Sequence, residues 1–128
     1  MTSTPHSGEP LHIDVQQISS ELRIRPAIYV KIVNNFALSL DGKIKILSEA
    51  IAGNNRDQMR MVLHEIKGTA GNLRLRSISN VEAAMHDAVK AGANAATLMQ
   101  LFQKLEEESI NLQKYVQGLP TDGSKPNN

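Results

Sequence analysis

The chain contains no cysteine, which excludes disulfides and thiolate metal sites and suits a reducing compartment. Aromatic residues are scarce, two Tyr and two Phe in 128 residues. Charge of one sign is also missing, because 14 basic and 13 acidic residues leave a net charge of +1. Without a basic run or aromatics to stack on bases, a dedicated nucleic-acid surface is not expected. No apolar run approaches the roughly 18 residues of a membrane span. The opening MTSTPHSGEP lacks the charged and apolar regions of a signal peptide. These absences point to a cytoplasmic protein with neither membrane nor nucleic acid as its partner. Strand-type alternation of apolar and polar residues is absent as well.

What the chain does have is enough apolar material, 41% of its residues, for one domain with one core. Four of the five prolines fall in residues 1–10 and 118–128, where apolar periodicity is missing, and both ends read as flexible tails. The domain is expected over 11–117, and its apolar residues recur at helical spacing throughout. Asp14 is placed to cap a short helix carrying Val15, Ile18 and Leu22. Pro26 suits the first turn of the next helix, where its missing N–H is no loss. Ile28, Ile32, Phe36, Leu40, Ile44, Leu47 and Ile51 then form one stripe, which the Asp41-Gly42 pair is placed to kink into two helices. Gly53 suits the left-handed position past a helix end. A helix from about Arg56 to Leu73 carries Met59, Val62, Leu63, Ile66, Ala70 and Leu73. Ser77 can cap another with Ile78, Val81, Met85 and Ala88, ending at Ala91-Gly92. The last runs from about Asn94 to Gln117 with Leu98, Leu101, Leu105, Leu112 and Tyr115 or Val116. The expectation is an all-α fold, an antiparallel four-helix bundle with one short additional N-terminal helix.

Within the histidine helix each residue advances about 100°. With His64 at zero, Lys67 falls near 300°, Gly68 near 40° and Gly71 near 340°, whereas the apolar set falls between roughly 160° and 260°. His64 should therefore face solvent, with a lysine one turn on and bare backbone beside it. Each interior glycine costs a helix about 1 kcal/mol relative to alanine. Access is one compensation, since larger side chains four and seven positions on would cover the imidazole; a fraying helix end at Gly71-Asn72 is the other. Arg60 and Met61 flank His64 on the open face. Met61 suits a flexible partner contact, although single exposed apolar residues are common, and Arg60 is equally an ordinary solvated charge. His86 is expected to face solvent, and His6 and His12 sit in or beside the N-terminal tail. No two histidines stand at i, i+4, which argues against a metal site.

The run His64-Glu65-Ile66-Lys67-Gly68-Thr69-Ala70-Gly71-Asn72-Leu73 resembles the signature of the histidine-containing phosphotransfer (HPt) domains of multistep phosphorelays. Ile32 to Phe36 and the helix end Glu49-Ala50-Ile51-Ala52-Gly53 before Asn54-Asn55 extend the resemblance over about residues 12–117. Arg74 departs from it, since the family keeps a glycine or another small residue there. The resemblance implies a phosphoaccepting role for His64, phosphoryl stabilisation by Lys67, and an approach opened by Gly68. It also implies response-regulator receiver domains and a hybrid sensor histidine kinase as partners.

The chemistry agrees with that reading. Imidazole in water titrates near 6.5, so at neutral pH it keeps a lone pair able to attack phosphorus without an adjacent base. A lysine at about 4 Å supplies roughly 4 kcal/mol of attraction at an effective dielectric near 20, before desolvation is subtracted. That is sufficient to hold a phosphoryl group, not to supply all of catalysis. No Gly-x-x-x-x-Gly-Lys-Ser/Thr loop and no acidic cluster beside His64 is present. No cofactor is thus expected on this chain, Mg²⁺ is expected in the receiver, and no kinase activity of its own is expected. The protein would be a phosphocarrier and a monomer. The alternative is a non-catalytic bundle that binds and regulates a kinase or receiver; a nucleophile beside a cation argues against it.

Overall fold

A computed structural model of the chain describes residues 13–118. These form five helices, α1 (Val15–Leu22), α2 (Pro26–Ala52), α3 (Arg56–Asn72), α4 (Arg76–Lys90) and α5 (Ala95–Gln117), and no strand occurs among the described residues. The expected tails over 1–10 and 118–128 lie outside the described residues except for Gly118, as do His6 and His12.

The long helices close into a ring, α2 packing on α3 and α5, and α4 on the same two, while α1 lies against α2. One core runs through it, from Tyr29, Val33, Leu40 and Leu47 of α2 through Met59, Leu63 and Ile66 of α3 to Ile78, Met85, Leu98 and Leu105. Several starts follow local chemistry. Asp14 accepts from the Gln17 N–H, Asn55 from Gln58 and Asn94 from Thr97, each satisfying a donor the first turn leaves unpaired. Pro26 opens α2.

Four helix ends share one device. Residue 23, 54, 74 or 92 turns left-handed, with φ of 61°, 52°, 61° and 77°. The next amide then bonds back across the last turn, Ile24 to Ser19, Asn55 to Ala50, Leu75 to Ala70 and Ala93 to Ala88, which is the Schellman pattern. After α2 the left-handed residue is Asn54, not Gly53, whose φ is −92°. Asparagine tolerates that conformation because its short polar side chain bonds locally.

Other expectations are corrected. α2 runs unbroken through Asp41-Gly42. Ile28 and Ile32 are 44% and 38% exposed, and Tyr29, Val30, Val33 and Ala37 are buried instead. A stripe stepped by fours drifts about 40° per step on a 3.6-residue helix, so its first members slide off the core. Ser77 does not cap α4, which begins at Arg76 after Leu75 with no side-chain cap. The Schellman turn leaves Leu75 buried at that position, and apolar anchoring replaces the polar cap. Val81 and Ala88 are only partly buried, while Glu82, Val89 and, on α5, Phe102 and Ser109 are buried.

Two long-range ties set the helix ends relative to each other. Tyr29 is fully buried, and its hydroxyl donates to the Leu73 carbonyl at 2.6 Å, joining the start of α2 to the end of α3. Arg56 donates to the carbonyls of Val89 and Ala93, joining the start of α3 to the end of α4. Burial pushes the Tyr29 phenol up to about 12, so the tie's stabilisation is fully present below pH 10, the value of the free phenol, and is lost as pH rises through about 12. Tyr29→Phe is expected to cost about 1–3 kcal/mol in urea unfolding. It should also lack the loss of stability that wild type shows between pH 10 and about 12.

Candidate functional site

The candidate site is built on α3, where rotation about the helix axis is set by what it buries. Met59, Leu63, Ile66 and Ala70 have no exposed surface and Val62 almost none, the spacing of a single helical face. The opposite face is therefore held outward, and on it His64, Lys67, Gly68 and Gly71 are all exposed. α3 is helical as far as Asn72, so Gly68 lies inside it and Gly71 in its last turn rather than in a frayed end. A Cβ built on either glycine would meet nothing within 4 Å. Neither is needed to let another part of this chain approach.

The rim of the face is charged and partly apolar. Met61 is 57% exposed, and Arg60 pairs with Asp57 one turn back. On the α2 side Lys43 reaches Glu65 at 3.2 Å. At the far end, Arg74 takes its left-handed φ of 61°, which explains why a glycine suits this position. Its guanidinium bonds the Gly71 and Asn72 carbonyls and lies 3.6 Å from the Glu21 carboxylate. It thus caps α3 and ties it to α1.

The structure also brings in a pair that pattern reading missed. Glu82 on α4 is 1% exposed, and its Oε2 lies 3.2 Å from Nδ1 of His86. His86, expected in solvent, has a side chain only 26% exposed. Burial pushes the Glu82 carboxyl above its ordinary range; the hydrogen bond and charge of His86, and the charge of Lys67, pull it back. The signal was the Glu-x-x-x-His spacing, hidden because a glutamate is ordinarily assigned to the wet face. Among the described residues no group of three His, Cys, Asp or Glu could hold a metal ion, and no helix is long and apolar enough to cross a membrane.

An exposed histidine, with a lysine one turn on and glycine-bared backbone, on the outer face of a helix in an all-helical domain defines a phosphotransfer-type module. The family model described as Hpt domain matches residues 31–119, most of the chain, and the chain belongs to that family, whose members are histidine phosphotransfer modules working with receiver domains and kinases in phosphorelays. No curated protein and no solved structure matches it.

Because the space around Gly68 is open, Gly68→Ala is expected to stabilise the protein by about 1 kcal/mol, read as a higher urea midpoint with an unchanged slope. A lower midpoint would mean that the glycine serves packing after all.

Proposed function

We propose that this protein accepts a phosphoryl group on His64 from the aspartyl phosphate of one receiver domain and passes it to another. The observation that carries the reading is the exposed His64 with Lys67 one turn on, on a helix whose other face is wholly buried. A ring nitrogen attacks phosphorus, the N–P bond forms, and the P–O bond to the receiver's aspartate breaks with its electron pair leaving on the carboxylate. No proton need leave the imidazole, since the other nitrogen already carries it. Lys67 neutralises the transferred charge, and Mg²⁺ comes with the receiver.

The receiver must lay its aspartate against this ring. Gly68 and Gly71 leave its approach open, while Met61 and Arg60 offer an adaptable apolar contact and a charge at its edge. The ring of four long helices, joined by the short connections 53–55, 73–75 and 91–94, reads as an antiparallel bundle with α1 added beside α2. We take the partners to be receivers and a hybrid sensor histidine kinase, the setting cytoplasmic and the working form a monomer. The protein is then a phosphocarrier, with no kinase activity. A bundle that only docks and regulates would have no use for a nucleophile beside a cation.

The test is incubation with receivers carrying labelled aspartyl phosphate and Mg²⁺. Wild type should gain acid-labile, alkali-stable label, while His64→Gln should keep its helical circular dichroism and gain none. Receiver binding with no label transferred would favour the docking regulator. Gly68→Leu should slow transfer by covering the ring, and an unchanged rate would remove access as the reason for the glycine.

A further inference from the structure

We propose that the buried Glu82 carboxylate, held by His86, acts as a counter-charge on Lys67 and thereby sets how firmly the phosphoryl group is held on His64. The inference rests on the phosphotransfer reading above and adds a positioning residue to it.

Glu82 is the one buried carboxylate among the described residues. It sits on the inner face of α4 with Ile78, Met85 and Val89, where an anion keeps its charge only with partners. His86, one turn on, supplies a hydrogen bond. The charges acting on it are Lys67 from α3, and His86 and Asp87 from α4 itself; α5, also packed on α4, adds none to that set. Burial pushes the carboxyl up, and Lys67 is among the groups that pull it back.

The geometry of α3 explains why Lys67 is the residue reached. Glu65, roughly 100° from His64 on one side, pairs with Lys43 of α2. Lys67, roughly 60° round on the other side, leans toward α4. Lys67 makes no hydrogen bond or ion pair of its own, so its ammonium stands between Glu82 behind and the phosphoryl position in front. With Glu82 ionised, Lys67 is shared and the phosphoryl group leaves readily. With Glu82 protonated, Lys67 serves the phosphoryl group alone. When the group leaves, the N–P bond breaks, a P–O bond to a receiver aspartate forms, and the electron pair returns to the imidazole; Glu82 changes no bond.

Glu82→Gln keeps the shape and a hydrogen-bonding group for His86 while removing the charge. Wild type and variant are equilibrated with a labelled receiver and Mg²⁺ from neutral pH down toward 4.5, the ordinary glutamate value. At neutral pH the ratio of phosphorylated protein to phosphorylated receiver should be about two- to fivefold higher for the variant, the size of a partly exposed charge pair. That advantage should fall toward one before pH 4.5 is reached, as the wild-type carboxyl protonates. Equal ratios, or an offset that ignores pH, overturn the counter-charge while leaving transfer to His64 intact.

Wild type alone supplies a second reading, independent of whether the variant folds. The Glu82 carboxyl carbon is titrated by NMR before and after phosphorylation of His64 with phosphoramidate, whose P–N bond breaks to release ammonia. Linkage is reciprocal, so the carboxyl should titrate at higher pH in the phosphorylated protein, and an unchanged midpoint overturns the inference. If neither a receiver nor phosphoramidate labels His64, the phosphotransfer reading falls and takes this inference with it.

Discussion

Everything at the candidate site depends on the buried stripe of α3. Met59, Leu63, Ile66 and Ala70 have no exposed surface, and burying such side chains contributes about 1.5–3 kcal/mol each for the larger ones. Turning α3 by even half a face would put several of them into water and His64 into the core. The direction in which the imidazole points is therefore set by apolar contacts on the far side of its own helix. A site of this kind needs no pocket, because its nucleophile is held by the helix and its missing parts arrive with another protein.

The polar ties act on position along the helices rather than on rotation. Tyr29 fixes the end of α3 against the start of α2, and Arg56 fixes its start against the end of α4. Between these two ends His64 has neighbours on both flanks, the Lys43–Glu65 pair toward α2 and Glu82 with His86 toward α4. The face is electrically asymmetric as a result, with an exposed, salt-screened pair on one side and a buried anion on the other.

Much of this was legible in the residues, and the failures have physical causes. All six apolar positions named for α3 are buried, because a helix packed on two neighbours shows its 3.6-residue period cleanly. The same procedure misplaced Ile28 and Ile32 on α2, where apolar residues also occur on the outer face and a stripe by fours drifts. Gly53 and Ser77 were assigned by residue preference. At both places the Schellman turn decided instead, giving the left-handed position to Asn54 and leaving Leu75 before α4. Arg74, the departure from the family motif, keeps the conformation a glycine would take and adds contacts to the Gly71 and Asn72 carbonyls. Glu82 was invisible because a buried carboxylate is recognised by its partners, and those come from packing that no periodicity encodes.

The most direct test of the account is where the phosphoryl group resides. Trypsin cuts after Arg60, Lys67, Arg76 and Lys90, so His64 and His86 fall in separate peptides, 61–67 and 77–90. After exposure to a phosphorylated receiver and digestion at alkaline pH, the mass of one phosphoryl group should appear on peptide 61–67. Its appearance on 77–90, or on neither peptide, would contradict the account.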